Sequence, residues 1–367
     1  MTPSRRDRTT TRRRRRMTAA VLALGAFLFV ACGQDLPQNT FRAEGPNAEL
    51  QKDLFFLAFW IAVFIFVLVE GLIVFAAIRF RARRREEAPK QVHGNTRLEI
   101  VWTVIPALLL LFIGVPTIGG IFTLAAQPQG DVLNVNVIAH QWWWEFQYPD
   151  QKIVTANELH IPVGRPVLLS MESKETPGGQ EQFGLTPADA VIHSLWVPRL
   201  SGTQDIIPGR VTHLTLQAER PGTYFGQCKE FCGISHANMR FRVIAQTAKD
   251  FTGWVSAQQA EAAEPPPGTD AAEGAELFAQ FPGGSCVACH AIDPGGEGAS
   301  VGPNLTHFGS RTTFGAGLFP NDAEHLERWL RDPGRMKAGV PEGAKMPNYN
   351  LSNDHIQALV AYLQSLK

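Results

Sequence analysis

The chain has 367 residues, long enough for several domains, of which 45% are hydrophobic and 19% charged. Its 34 basic and 34 acidic residues cancel, which removes any whole-chain electrostatic case for a nucleic-acid partner. It contains five cysteines, and each can be given a chemical task.

The N-terminus reads as a secretory signal over residues 1–31: an arginine-rich stretch at 12–16 precedes an apolar run at 19–30. The ending Leu28-Phe29-Val30-Ala31-Cys32 is similar to a bacterial lipobox, although Phe29 is not the usual residue at its place, and makes Cys32 a lipidation candidate. The alternatives are a free thiol in an uncleaved anchor and a true start at Met17. A transmembrane hairpin is expected over 32–127, with apolar spans at 54–78 and 100–124, each long enough to cross a bilayer. The loop between them carries Arg79, Arg81, Arg83, Arg84 and Arg85, with Lys90 and Arg97 beyond. Short basic loops stay in the cytoplasm, so everything after residue 124 is expected on the external face. Glu70 inside the first span either faces a membrane partner or is a neutral, hydrogen-bonded carboxyl. Glu99, at the cytoplasmic mouth of the second span, could collect protons or serve as a helix-entry anion.

After residue 124 the period changes. Val132-Leu133-Asn134-Val135-Asn136-Val137 alternates apolar and polar, as do residues 239–243, and turn signals recur at Pro162, Gly178, Pro208 and Gly222. Short strands with such turns predict an all-β sandwich over 128–247. In the aromatic run Trp142-Trp143-Trp144, strand alternation puts Trp142 and Trp144 on one face and Trp143 on the other. That run is either core plus an interfacial belt or an electron-entry surface.

Cys228 and Cys232, followed by His236 and Met239, combine thiolate, imidazole and thioether within twelve residues, a donor set that suits copper. A second cysteine breaks the mononuclear pattern, because two thiolates can bridge two coppers, and His193 offers another imidazole from a different loop. A Cys228–Cys232 disulfide and a zinc site are the alternatives; the first leaves His236 and Met239 unexplained, and zinc rarely takes methionine.

A Pro-rich linker is expected over 248–269, and helical periodicity returns over 270–367. Cys286-Val287-Ala288-Cys289-His290 has the spacing of c-type haem attachment, with His290 as an axial ligand. Met336 and Met346 compete for the sixth position, and Met346, in a loop before the last helix, is preferred; His307, His325 and His355 are weaker candidates. Residues 352–366 form the clearest helix, capped by Ser352.

Together these motifs, in this order, resemble subunit II of a haem–copper cytochrome c oxidase carrying a fused C-terminal cytochrome c domain (the caa3 type). The resemblance implies a multidomain membrane protein: a two-helix transmembrane hairpin, an all-β cupredoxin sandwich and an all-α class I cytochrome c domain. It implies a binuclear CuA centre held by His193, Cys228, Cys232, His236 and Met239, with Glu230 coordinating through its carbonyl and reaching a magnesium shared with subunit I. It further implies Trp142 as the electron-entry residue, Glu99 as a proton-path entrance, and Asp205 and Arg210 facing the haem propionates. Trp143 stands where the family usually has Tyr, and Ala190 where many members carry Asp. Gly302-Pro303-Asn304-Leu305 is similar to the cytochrome segment that packs on the proximal histidine. The implied partners are subunit I and other oxidase subunits, the bacterial plasma membrane, and an external cytochrome c or similar donor. The rival readings are a membrane-tethered electron shuttle and a nitric-oxide reductase component.

Overall fold

The computed structural model describes residues 36–81, 91, 93–174, 190–281, 284–296, 301–337 and 346–367. The expected signal and Cys32 lie outside the described residues, as does most of the basic loop.

Two long helices come first, α1 (Pro46–Arg79) and α2 (Thr96–Ala125). Pro46 opens α1, where a missing N–H costs nothing in the first turn. Asn95 caps α2: its Oδ1 accepts from Leu98 N at 3.3 Å, and Glu99 Oε1 accepts from Asn95 N at 3.2 Å. Mean hydropathy reaches 2.9 and 2.4, with apolar side chains exposed all round, so both helices are long and apolar enough to cross a membrane. Both begin before the expected spans. In α1 the extra, more polar turns stand on the sandwich: Asn47 Nδ2 donates to Thr215 O at 2.9 Å and Arg199 pairs with Glu44 at 2.8 Å.

The sandwich has two five-stranded sheets. The strands are β1 (Leu133–His140), β2 (Trp143–Tyr148), β3 (Ile153–Ala156), β4 (Glu158–Pro162), β5 (Val167–Ser173), β6 (His193–Trp196), β7 (Thr203–Ile206), β8 (Thr212–Leu216), β9 (Gly222–Cys228) and β10 (Arg240–Gln246). One sheet runs β3-β2-β1-β5-β8 and the other β4-β10-β9-β6-β7, with parallel pairing only at β1–β5 and β4–β10 among the described strands. The period of two turns Trp144, Phe146 and Tyr148 inward, against Phe241 of the facing sheet. The Phe241 ring lies so close to Gly226 that an added Cβ would stand 2.2 Å from it. Tyr148 ties the sheets together: its hydroxyl donates to His160 O at 2.9 Å and accepts from His160 N at 2.8 Å.

The expected linker is part helix. α3 (Ala248–Gln258), capped by Thr247, buries Phe251 and stacks Trp254 on His160 at 4.3 Å between ring centroids. The proline-rich stretch begins only after it. The C-terminal domain packs α4 (Asp270–Ala279), α5 (Ala323–Arg331), the short α6 (Pro333–Met336) and α7 (Asn353–Ser365) around one apolar cluster. Ser352 caps α7 through its bond to His355 N, and Gly274 lets α4 approach the Ala358 carbonyl.

Candidate metal centres and the bridge between them

β9 ends on Cys228 and β10 starts after Met239, so the loop between them turns back over the sandwich end and gathers its polarisable side chains. Cys228 Sγ lies 3.7 Å from Cys232 Sγ and 3.6 Å from His193 Nδ1; Cys232 Sγ lies 3.5 Å from His236 Nδ1 and 3.8 Å from Met239 Sδ. The Glu230 carbonyl stands 3.1 Å from Cys228 Sγ, while the Glu230 side chain is exposed. Both cysteines are free and buried. His193 opens strand β6 instead of lying on a loop, which anchors its ring in the core, and its Nε2 is buried without a hydrogen-bond partner among the described residues.

These groups fit a metal. The hydrogen bond from Cys232, helped by the His193 ring, stabilises a Cys228 thiolate; that thiolate then pushes the Cys232 thiol well up. Ionising both needs nearby positive charge, which a soft cation supplies. Two thiols, two imidazoles, a thioether and a carbonyl exceed the four donors that one zinc takes. The same set would be enough to hold two coppers, which would supply one-electron redox chemistry.

In the C-terminal domain a cavity of about 230 Å³ is lined by Cys286, Cys289, His290 and Met346 among apolar side chains such as Phe278 and Leu359. His290 Nδ1 donates to Pro303 O at 2.7 Å, which leaves Nε2 as the nitrogen available to iron. Burial lowers the His290 pKa and so keeps the ring neutral. Met346 Sδ accepts from Trp329 Nε1 at 3.2 Å. Of the other residues weighed for the sixth position, Met336 does not line the cavity, and His307 points elsewhere, its Nε2 at 3.0 Å from Ala260 O and 3.2 Å from Gln258 O. His325 pairs with Asp322, and His355 sits in the first turn of α7. Cavity and donors fit a covalently attached haem.

Trp142 does not lie on an open surface. It is 2% exposed, because the C-terminal domain covers it, and with Gln141 and Trp143 it lines the same cavity. Trp143, expected on the opposite face, is also buried, packed with Ala316 and stacked on His140 at 4.1 Å. On its far side Trp142 Nε1 donates to Cys232 O at 3.0 Å, and Gln141 Nε2 to the same oxygen at 2.8 Å. One residue, Trp142, therefore borders both sites: it lines the cavity, and its indole bonds the Cys232 carbonyl. Glu70, Glu99, Asp205 and Arg210 are exposed and far in sequence from this bridge.

Sequence reasoning missed Glu158 and Lys337, which make hydrogen bonds between the two domains. Glu158 reads as an ordinary strand-edge acid; its position at the first residue of a buried strand was the available signal.

Comparison with known proteins matches all three parts of the chain. The family model for the periplasmic domain of cytochrome C oxidase subunit II matches residues 133–246, that for its transmembrane domain residues 36–119, and that for cytochrome c residues 271–367. The cytochrome c oxidase subunit 2 of Alkalihalophilus pseudofirmus is 37% identical over 331 residues, 88% of this chain and 89% of that protein. The chain belongs to the cytochrome c oxidase subunit II family. A quinol oxidase subunit 2 of Bacillus spizizenii is 37% identical over 250 residues, 66% of this chain and 73% of that protein. Among solved structures, the periplasmic domain of cytochrome oxidase subunit II from Bradyrhizobium japonicum aligns with 25% identity over 35% of this chain and 94% of that one, at a TM-score of 0.30. The family fold is thus a membrane hairpin with a cupredoxin-like domain, extended here by a cytochrome c domain.

Proposed function

We propose that this subunit is the electron-input arm of a proton-pumping terminal oxidase, passing electrons from cytochrome c by way of a haem c and a binuclear CuA centre to haem a of subunit I, where oxygen is reduced to water. The observation that carries the reading is Trp142, which lines the cavity of Cys286, Cys289, His290 and Met346 and whose indole bonds the Cys232 carbonyl. Haem c and CuA each supply a one-electron redox change. The chain's residues position and insulate them: Cys286 and Cys289 would hold the haem covalently, with His290 and Met346 axial, and His193, Cys228, Glu230, Cys232, His236 and Met239 would hold the copper. The rigid sandwich limits rearrangement around those ligands. The exposed Glu230 side chain leaves a carboxylate free to meet a magnesium shared with subunit I.

The remaining assignments rest on the sequence: the basic loop for orientation, the lipobox-like ending for Cys32, composition for the domain bounds and the family resemblance for Glu99. The chain sits in a bacterial plasma membrane with both redox domains outside, Glu99 at the entrance of a proton path, and Cys32 lipidated after removal of the signal. The domains run 32–127, 128–247 and 270–367. The complete copper donor set favours a cytochrome c over a quinol donor. Mild-detergent purification should yield one haem c and two coppers per chain, together with a many-span subunit carrying haem a. Substituting His236→Ala should abolish the near-infrared copper absorption and leave the haem c spectrum; an unchanged copper spectrum would sink the ligand assignment, and purification without the haem a subunit would favour a free shuttle.

A further inference from the structure

Two buried ionisable side chains are not among the residues assigned to either metal centre, although Lys337 borders the haem cavity. Glu158, at the start of β4 in the copper domain, and Lys337, just after α6 in the cytochrome domain, are 1% and 9% exposed. A charge is kept out of water only where partners satisfy it. For each of these two, the hydrogen-bond partners come from the other domain.

Glu158 Oε1 accepts from Thr313 N at 2.8 Å, Thr313 Oγ1 at 2.9 Å and Thr312 N at 3.1 Å, and also from Thr312 Oγ1. Oε2 accepts a weaker bond from Thr312 N. Two guanidiniums complete its surroundings: Arg311, buried beside Thr312 and bonded to Asn304 O, and Arg242, whose Nη2 donates to Gly317 O of the cytochrome domain at 2.8 Å. In the reverse direction, Lys337 Nζ donates to Trp142 O at 2.6 Å. Trp142 is the residue whose indole holds the Cys232 carbonyl, so the lysine grips the bridge itself.

We propose that Glu158 and Lys337 form a reciprocal two-point clasp that seats the cytochrome domain on the copper domain in one orientation, with the mouth of its haem cavity closed on Trp142 and Trp143. Val154 N donating to Pro294 O at 3.0 Å and Arg242 donating to Gly317 O lie in the same junction; the two buried side chains, on different elements of each domain, add the contacts that resist rotation. The proline-rich tether after α3 makes the encounter intramolecular, and the clasp selects the pose. Lys337 is a positioning residue: its hydrogen bond goes to the Trp142 carbonyl, and it acts through Trp142. The proposal rests on reading the two sites as haem c and copper centres.

The test uses the full chain in its purified complex and reads each point from the other. Amide hydrogen exchange at Thr312 and Thr313 should be slow in the unaltered protein. Lys337→Met, made at the other contact, should speed it by at least about tenfold, since removing one buried partner releases the seat. After photoreduction, one electron leaves the ferrous haem and reduces the copper centre. That transfer should slow by at least about tenfold in both Lys337→Met and Glu158→Ala, with haem and copper absorption unchanged. If Glu158→Ala does not fold, Glu158→Gln, which keeps one acceptor oxygen, takes its place. Unchanged exchange at Thr312 and Thr313 in Lys337→Met, or an unchanged transfer rate in both variants, overturns the clasp. Absence of haem c or copper absorption from the unaltered protein would instead overturn the functional reading, and the exchange measurement would still decide the clasp.

Discussion

Gly302 offers a sharp test of how the haem ligand is seated. An alanine Cβ there would stand 2.6 Å from His290 Cε1, 2.8 Å from His290 Nδ1 and 3.1 Å from Cys289 O, well inside ordinary van der Waals contact. The backbone cannot easily retreat, because Gly302 N donates to Cys289 O at 2.9 Å. The imidazole must therefore tilt, and tilting breaks its 2.7 Å bond to Pro303 O. A buried bond lost on both sides costs about 1–3 kcal/mol, and the overpacking about 1–3 kcal/mol more. For a domain of this size, about 2–6 kcal/mol in Gly302→Ala lowers the melting temperature by about 10–30 °C. Haem absorbance followed through a thermal scan measures it. Loss of the Nδ1 bond also makes Nε2 a poorer donor to ferric iron, so the haem potential should rise. A melting temperature within about 2 °C of the unaltered protein, with an unchanged potential, would refute the reasoning.

Tyr148→Phe should destabilise the sandwich by about 2–4 kcal/mol, since it strands both the N–H and the C=O of His160 between the sheets; calorimetry showing less than about half of this would remove Tyr148 as the inter-sheet tie. A pH effect follows from Lys337. Burial depresses its ammonium to about 7 in the seated chain, against 10.5 for the ordinary group. Between those values the released domain binds more protons than the seated one, so seating strengthens as pH rises above about 7 and is weakest and flat below it, with a slope of at most about 1.4 kcal/mol per pH unit. Thermal scans of the haem band across this range should show that rise in the unaltered protein and lose it in Lys337→Met; identical pH profiles would show that Lys337 does not titrate on seating.

Local chemistry was readable from the sequence because it is local. The spacing of Cys228, Cys232, His236 and Met239 within one loop, the Cys286-to-His290 motif, and the alternation along β1 and β10 each fall within a few residues. The cap at Ser352 belongs to the same class. What was misread depended on distant packing. Trp142 lies in the turn between β1 and β2 and so outside the expected alternation, and it and Trp143 are both buried beside a second domain. The helix over Ala248–Gln258 was hidden by the proline-rich stretch that follows it, although Phe251 and Trp254 already had the spacing of one helix face. Glu158 and Lys337 meet partners 154 and 195 residues away, beyond any local pattern.

The junction below the sandwich constrains the molecule in another way. Gly45 lies so tightly against the strands that an added Cβ would stand 2.2 Å from Gln217 O, and the adjoining backbone is stapled by Glu44 N to Arg199 O at 2.7 Å and Glu219 N to Glu44 O at 2.8 Å. No slack chain separates this end of α1 from the sandwich. The altitude of the copper ligands above the bilayer is therefore a fixed length, like the stem of a goblet. A residue inserted there would lift or rotate the whole cup, whereas the same insertion after α3 would only lengthen a strap.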